Sequence, residues 1–415
     1  MGNNIPQGYK ATALGIIPQE WEVMRLGDIV SITSGESPSL YHLKAEGKYP
    51  YVKVEDLNNC EKYQESSREY SDDNNTTIKA GSIIFPKRGA SILNNKVRIA
   101  AKDIQMDSNM MAITPHTTIV DTEFLYIRIL HERLYRIADT SSIPQINNKH
   151  IIPYKIAVPP LAEQRKIAEV LGVWDEAIEK QARLIEKLDL RKRGLMQRLL
   201  SAKLRLPGFS EPWKKVKLGD IGDTYNGLSG KNKDDFEYGN AQFIPYINVF
   251  SNERIDTNNL GCVQIEPNEQ QNTVKYGDIF FTVSSETPDE VGMASVLLEH
   301  LDNTYLNSFC FGYRLNDFST LNPFFAAYLF RTEHFRNYMS VLAQGSTRFN
   351  ISKKEVMKLK IDLPTIEEQT AIAEVLTAAD REIELAKEKL DRLRRQKRGL
   401  MQQLLSGKKR VKINI

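Results

Sequence analysis

The sequence predicts an α+β protein: two mixed α/β domains separated by an antiparallel pair of long coiled-coil helices, with a pseudo-two-fold internal repeat. Three observations carry this prediction. The 415-residue chain is written twice, each copy closes in a sustained heptad pattern, and the stretches ahead of those heptads read as short strands and turns.

The first copy opens on Ile17-Pro18-Gln19-Glu20-Trp21 and then Leu26-Gly27-Asp28-Ile29. The second opens on Phe209-Ser210-Glu211-Pro212-Trp213 and then Leu218-Gly219-Asp220-Ile221, with both anchors 192 residues on. Ala80-Gly81-Ser82-Ile83-Ile84-Phe85 faces Tyr276-Gly277-Asp278-Ile279-Phe280-Phe281, a glycine turn entering an apolar strand in each copy. Residues 163–203 align without a gap on 368–408, 205 residues later, with 21 identities in 41 positions.

Within those matched stretches the seam positions are Ile167, Leu171, Trp174, Ile178, Gln181, Ile185, Leu188, Leu195 and Leu199, with steps of 4, 3, 4, 3, 4, 3, 7 and 4. The second copy repeats the steps at Ile372, Leu376, Ala379, Ile383, Ala386, Leu390, Leu393, Leu400 and Leu404. A 4-3 apolar spacing is the signature of a helix that packs along a partner helix. Pro159-Pro160 and Pro364 stand just upstream, where proline is tolerated at a helix start. A compact domain brings its ends together, so the second helix is expected to begin beside the end of the first and run back along it. The expected seam mixes large and small side chains, with Trp174 opposite residues such as Ala379 and Ala386. About 40 helical residues span on the order of 60 Å, with one globular domain at each end. Homodimerisation through four helices, or a trimeric coiled coil, is the rival arrangement for the same seam.

The expected domains are therefore 1–159, helix segment 160–206, 207–363 and helix segment 364–415. In the two globular stretches, helices are expected near Phe124 to Leu134 and Pro323 to Tyr338. Each stretch ends similarly, in Thr140-Ser141-Ser142-Ile143-Pro144-Gln145-Ile146-Asn147 and in Gly345-Ser346-Thr347-Arg348-Phe349-Asn350-Ile351-Ser352.

The candidate nucleic-acid contacts are Lys87 and Arg88 just after a strand, Lys231 and Lys233 as another basic pair in the second domain, and Gln145, Asn147, Arg348 and Asn350 in the closing segments. Arginine and lysine at strand-end loops suit guanine edges or phosphates, and serine, glutamine, asparagine and arginine hydrogen-bond phosphates and base edges. The competing reading of each is a turn connector or a solvated surface charge. Residues 387–410 hold ten basic side chains against two acidic ones, which reads mainly as a solvated helix face.

Several classes of chemistry find no support. A net charge of +3 by itself decides nothing about a polyanion partner. Cys60, Cys262 and Cys310 form no Cys-x-x-Cys pair, and the six histidines show no paired metal spacing. There is no phosphate-binding loop of the GxxxxGK[ST] type. Asn322-Pro323-Phe324-Phe325 is similar to the Asn-Pro-Pro-Tyr/Phe loop of adenine methyltransferases but lacks the second proline. It reads better as a helix start, with Asn322 capping, Pro323 in the first turn and both aromatics packed inward. The N-terminal residues show no apolar signal segment, so a cytoplasmic protein is expected.

This order of globular region, Glu-Gln-x-x-Ile-Ala-Glu-Val-Leu helix ending in Lys-Arg-Gly-Leu-Met-Gln, then both again, resembles the specificity subunit of type I restriction-modification systems. Pro160-Leu161-Ala162-Glu163-Gln164 and Pro364-Thr365-Ile366-Glu367-Glu368-Gln369 resemble the opening of its conserved helices. The resemblance implies two target recognition domains that each read one half of a bipartite double-stranded DNA site, and helices that set the spacing and hold two modification subunits. It further implies a non-catalytic chain without its own cofactor: S-adenosylmethionine, ATP and Mg would belong to modification and restriction subunits. The alternatives from other classes are a coiled-coil scaffold without a DNA role and a stand-alone methyltransferase or nuclease.

Overall fold

The computed structural model describes residues 5–140, 143–236 and 238–413. Ser141 and Ser142, within the first closing segment singled out above, lie outside the described residues. The chain forms two compact units, Met1–Ala182 with Lys389–Ile415, and Arg183–Glu388.

The first unit is built on a five-stranded sheet in the order Val30–Ser34, Met110–Pro115, Ile83–Pro86, Arg98–Ala100, Tyr63–Gln64. Ile83–Pro86 lies in its middle and is buried along its whole length, as an uninterrupted Ile-Ile-Phe run requires. Gly81, two residues earlier, holds φ at +81°, a conformation that glycine adopts without strain. A three-stranded sheet places Tyr49–Val52 between Gln105–Met106, in parallel, and Tyr70–Ser71, antiparallel. A two-stranded ribbon pairs Glu22–Arg25 with Lys155–Val158, closing the domain on itself. The helix Thr122–Glu132 covers the sheet; Asp121 caps it by accepting from the Glu123 and Phe124 amides.

The second unit repeats this plan. Its larger sheet runs Gly222–Asn226, Cys310–Leu315, Ile279–Thr282, Ala294–Val296, and Gly277, at φ +84°, again precedes the buried central strand. Ala241–Ile244 sits between Thr304–Leu306, in parallel, and Gly261–Val263, antiparallel. Lys214–Lys217 pairs with Lys360–Leu363. The expected helix from Pro323 divides into Pro323–Leu329 and Glu333–Leu342, because Thr332 starts the second helix by capping Phe335. Asn322 does cap Pro323–Leu329, accepting from the amides of Phe324 and Phe325. One part of that expectation is corrected: Phe325 is fully buried, but Phe324 stays 37% exposed, with the Arg254 guanidinium 5.8 Å from its ring centroid.

Two long helices, Leu161–Leu199 and Ile366–Leu405, each contribute a stretch to each unit. In the first unit Ile167 and Leu171 share one core with Leu400, Met401, Leu404 and Leu405. In the second, Leu195 and Leu199 share a core with Ile372 and Leu376, and Ile185 and Leu188 pack with Ile383 and Ala386. Every seam residue named above is buried or half-buried, including Trp174, Ile178, Ala379, Leu390 and Leu393. The opposition of Trp174 to Ala379 and Ala386 is corrected. Asp175 meets Lys397, so the turn of Trp174 faces that of Lys397, while Ala386 packs beside Ile185 and Leu188.

Candidate nucleic-acid interface

Each repeat motif has a structural task, and together these tasks fix the frame that carries the candidate interface. Gln164 is fully buried; its amide donates to the carbonyls of Ile119 (2.9 Å) and Pro159 (2.8 Å), and its oxygen accepts from the Asp121 amide (2.8 Å). Gln369 does the same with Thr320 (2.9 Å), Pro364 (3.0 Å) and the Asn322 amide (2.9 Å). Both glutamines therefore tie the start of a long helix to the loop that begins a domain helix. Such a side chain leaves no buried polar group unpaired, which is what its burial demands.

The neighbouring glutamates anchor the far ends. Glu163 is fully buried and accepts two hydrogen bonds from Arg410, at 2.7 and 2.9 Å, and a third from Trp21 Nε1 at 3.0 Å. Glu368, 1% exposed, accepts two from Arg205 at 2.6 and 2.7 Å. The Trp213 indole nitrogen is buried without a hydrogen-bond partner among the described residues, so the second anchor lacks the third bond. Carboxylates this deep are tolerated only when paired and hydrogen-bonded. Asp175 pairs with Lys397 within the first unit, and Asp380 with Lys192 within the second. All four carboxylates and their cations are related by the same 205-residue offset, so each unit runs its two helical stretches antiparallel with identical partners. Arg410 and Lys397 are thereby taken out of the basic run 387–410, while Lys408 and Lys409 remain exposed.

On this frame the first unit brings Lys87, Arg88, Gln145 and Asn147 together. Gln145 forms an antiparallel bridge to Arg88 on one side and to Asp139 on the other. The Ile146 amide donates to the Lys87 carbonyl (2.9 Å) and the Gly89 amide to the Pro144 carbonyl (2.9 Å). Arg88 is exposed and Lys87 half-buried, and neither enters an ion pair among the described residues. Burial, and then the adjacent Arg88 charge, hold the Lys87 ammonium below the usual lysine range. Asn147 turns its backbone amide toward His150 Nδ1 (3.1 Å) and opens the short helix Asn148–Ile151.

In the second unit Arg348 and Asn350 occupy the corresponding hairpin. Asn350 bridges Ser284 and Gln344, exchanging bonds of 2.8 and 3.0 Å with the latter, and the Ile351 amide donates to the Val283 carbonyl (3.0 Å). Arg348 and Asn350 are exposed. The structural counterparts of Lys87 and Arg88 are thus Val283 and Ser284. Lys231 and Lys233 do not join this hairpin. The Lys231 side chain is 4% exposed and spent on an ion pair with Glu269, and Lys233 begins a short exposed turn of helix, Lys233–Phe236. Burial lowers the Lys353 ammonium, which donates to Asn226 Oδ1 beside the hairpin strand. Extending the spacing between Gly81 and Gly277 by a few residues would have found Val283 and Ser284; a search for basic pairs could not.

Among the described residues, no helix is long and apolar enough to cross a membrane, and no group of three or more His, Cys, Asp or Glu side chains is placed to hold a metal ion.

A 26% identical relative, the type I restriction enzyme MjaVIII specificity subunit of Methanocaldococcus jannaschii, aligns over 95% of this chain and 94% of its own length. The fold is similar to a chain solved in work on complex assembly and conformational transition of the type I R-M system (TM-score 0.64, 20% identity, 94% of this chain and 99% of that one). It is also similar to the type I restriction-modification S subunit from M. genitalium (TM-score 0.53, 18% identity, 92% and 96%). The family model for the type I restriction modification DNA specificity domain matches twice, at 18–189 and 210–395, and the chain belongs to that family.

Proposed function

We propose that this chain is the DNA specificity subunit of a type I restriction-modification complex, in which each recognition domain reads one half of a bipartite duplex site. The observation that carries the reading is the combination of a repeated frame with a variable surface. Sheets, glutamine ties and glutamate anchors repeat between the units, whereas the hairpin side chains change from Arg88 and Gln145 to Ser284 and Asn350. Two similar frames with different surface chemistry suit two different half-sites. The seam helices would set the separation of those half-sites and hold two modification subunits. Catalysis would belong to the partners, with S-adenosylmethionine on the modification subunits and ATP and Mg on a restriction subunit.

The test is selection from a randomised duplex pool, across a salt series, by the full chain assembled with a modification subunit. The expected result is two short motifs at a fixed separation, with affinity falling steeply as salt rises. Deleting one heptad from both helices should then shorten the separation without changing either motif. No enrichment at any salt would leave the scaffold reading in its place.

A further inference from the structure

Resting on that reading, we propose that a single cross-strand rung in each unit, Arg88 with Gln145 and Ser284 with Asn350, reads base edges and sets which bases the two half-sites carry.

The two rungs occupy one topological position. In each, the middle residue of a ladder of three segments is flanked by a strand-end loop on one side and by its own hairpin arm on the other: 88, 145 and 139 in the first unit, and 284, 350 and 344 in the second. The bond that follows each rung is also the same, from Ile146 to Lys87 and from Ile351 to Val283. Residues directly opposite in an antiparallel pair project from the same face with their Cβ atoms about 5 Å apart. Each rung therefore offers two side chains side by side, with the backbone of Gln145 and of Asn350 held from both sides, so less ordering is left for the moment of binding.

The chemistry of the rungs is that of base readers. A guanidinium fits the O6 and N7 acceptors of guanine, the amides of glutamine and asparagine fit the N7 and N6 of adenine, and serine accommodates either. A two-stranded ribbon is of a size that the major groove admits. Arg88 and Asn350 are exposed, and Arg88 has no carboxylate competing for it among the described residues. Lys87 and Arg348 lie one or two residues from the rungs and supply positive charge where a phosphate backbone would run. Neither Lys87 nor Arg88 has an ion-pair partner among the described residues, so a phosphate would meet uncompensated positive charge there; burial, and then the Arg88 charge, holds the Lys87 ammonium below the usual lysine range.

At the rung the two units carry different side chains within a shared register. Arginine in one and serine in the other, at equivalent positions, predicts a guanine contact in the half-site of the first domain that the second domain does not make.

The experiment repeats the duplex selection with the assembled complex carrying Arg88→Gln, and separately Ser284→Arg. The expected result for Arg88→Gln is loss of preference at one base position of one half-site, by roughly 5- to 150-fold, with the other half-site unchanged. Ser284→Arg should add a guanine preference to the opposite half-site. A uniform loss across all sequences with a shallower salt dependence would make Arg88 a phosphate contact and overturn the rung. Two intact motifs in both variants would overturn it as well, while leaving the specificity reading standing. If the unsubstituted complex selects no motif, the specificity reading itself fails and takes the rung with it.

Discussion

Replacing Arg205 with methionine tests whether a buried glutamate anchor holds its unit together. Glu368 is 1% exposed and its two oxygens accept from Arg205 at 2.6 and 2.7 Å. Methionine keeps most of the apolar stem of arginine while removing the charge, so packing is disturbed less than pairing. What remains is a buried carboxylate with no counter-ion. Breaking a buried pair in this way costs about 3–5 kcal/mol. For a unit of this size, each kcal/mol moves the melting temperature by about 2–4 °C, so the transition of the second unit should fall by about 6–20 °C. The double variant Arg205→Met with Glu368→Gln removes the orphaned charge and should recover much of the loss. Because two units need not unfold together, hydrogen exchange across 366–376 should accompany the thermal scan. If the two single losses simply add in the double variant, to within about 0.5 kcal/mol, the buried-charge reasoning is wrong.

Other expectations follow from local packing. A Cβ on Gly227 would stand 2.0 Å from the Asn307 carbonyl oxygen, so Gly227→Ala should cost about 1–3 kcal/mol by denaturant unfolding. Gly399 lies inside the second long helix, and a methyl group added there would meet nothing within 4 Å. Its substitution by alanine should instead gain about 1 kcal/mol. Burial, followed by Arg128, Arg136 and Arg133, lowers the His131 imidazole. Its folded value lies below its unfolded value, so its contribution is present above about pH 6.5 and lost as the pH falls from there through the folded value. Urea midpoints between pH 7 and 5 should decline, and His131→Gln should flatten that decline. Burial pushes the Cys310 thiol up to about 12, so alkylation at pH 8 should label exposed Cys262 and spare Cys310, as read by peptide mass spectrometry.

The local patterns in the sequence predict what is local in the structure. Heptad spacing identifies residues that are buried or half-buried along both long helices, and Asn322-Pro323 identifies a cap that the backbone amides confirm. Pairings across long separations are not legible. Glu163 and Arg410 look like ordinary helix-surface charges until the fold brings them together, as do Glu368 and Arg205. Lys231 does not stand at the position of Lys87, because charge type alone ignores register, and its ammonium pairs with Glu269. Trp174 does not meet Ala386 because heptad position says which face a residue occupies, not which turn of the partner it faces.

The composition of the first unit has a consequence for synthesis. Its core includes Leu404 and Leu405, and its buried Glu163 waits for Arg410, whereas residues 183–388 form the second unit without any such later contribution. On the ribosome the usual N-to-C order of domain completion is therefore inverted. The second unit can close while the nascent first unit still lacks its last stretch of helix, and a stalled or truncated product would expose the apolar face of Ile167 and Leu171 to chaperones and proteases.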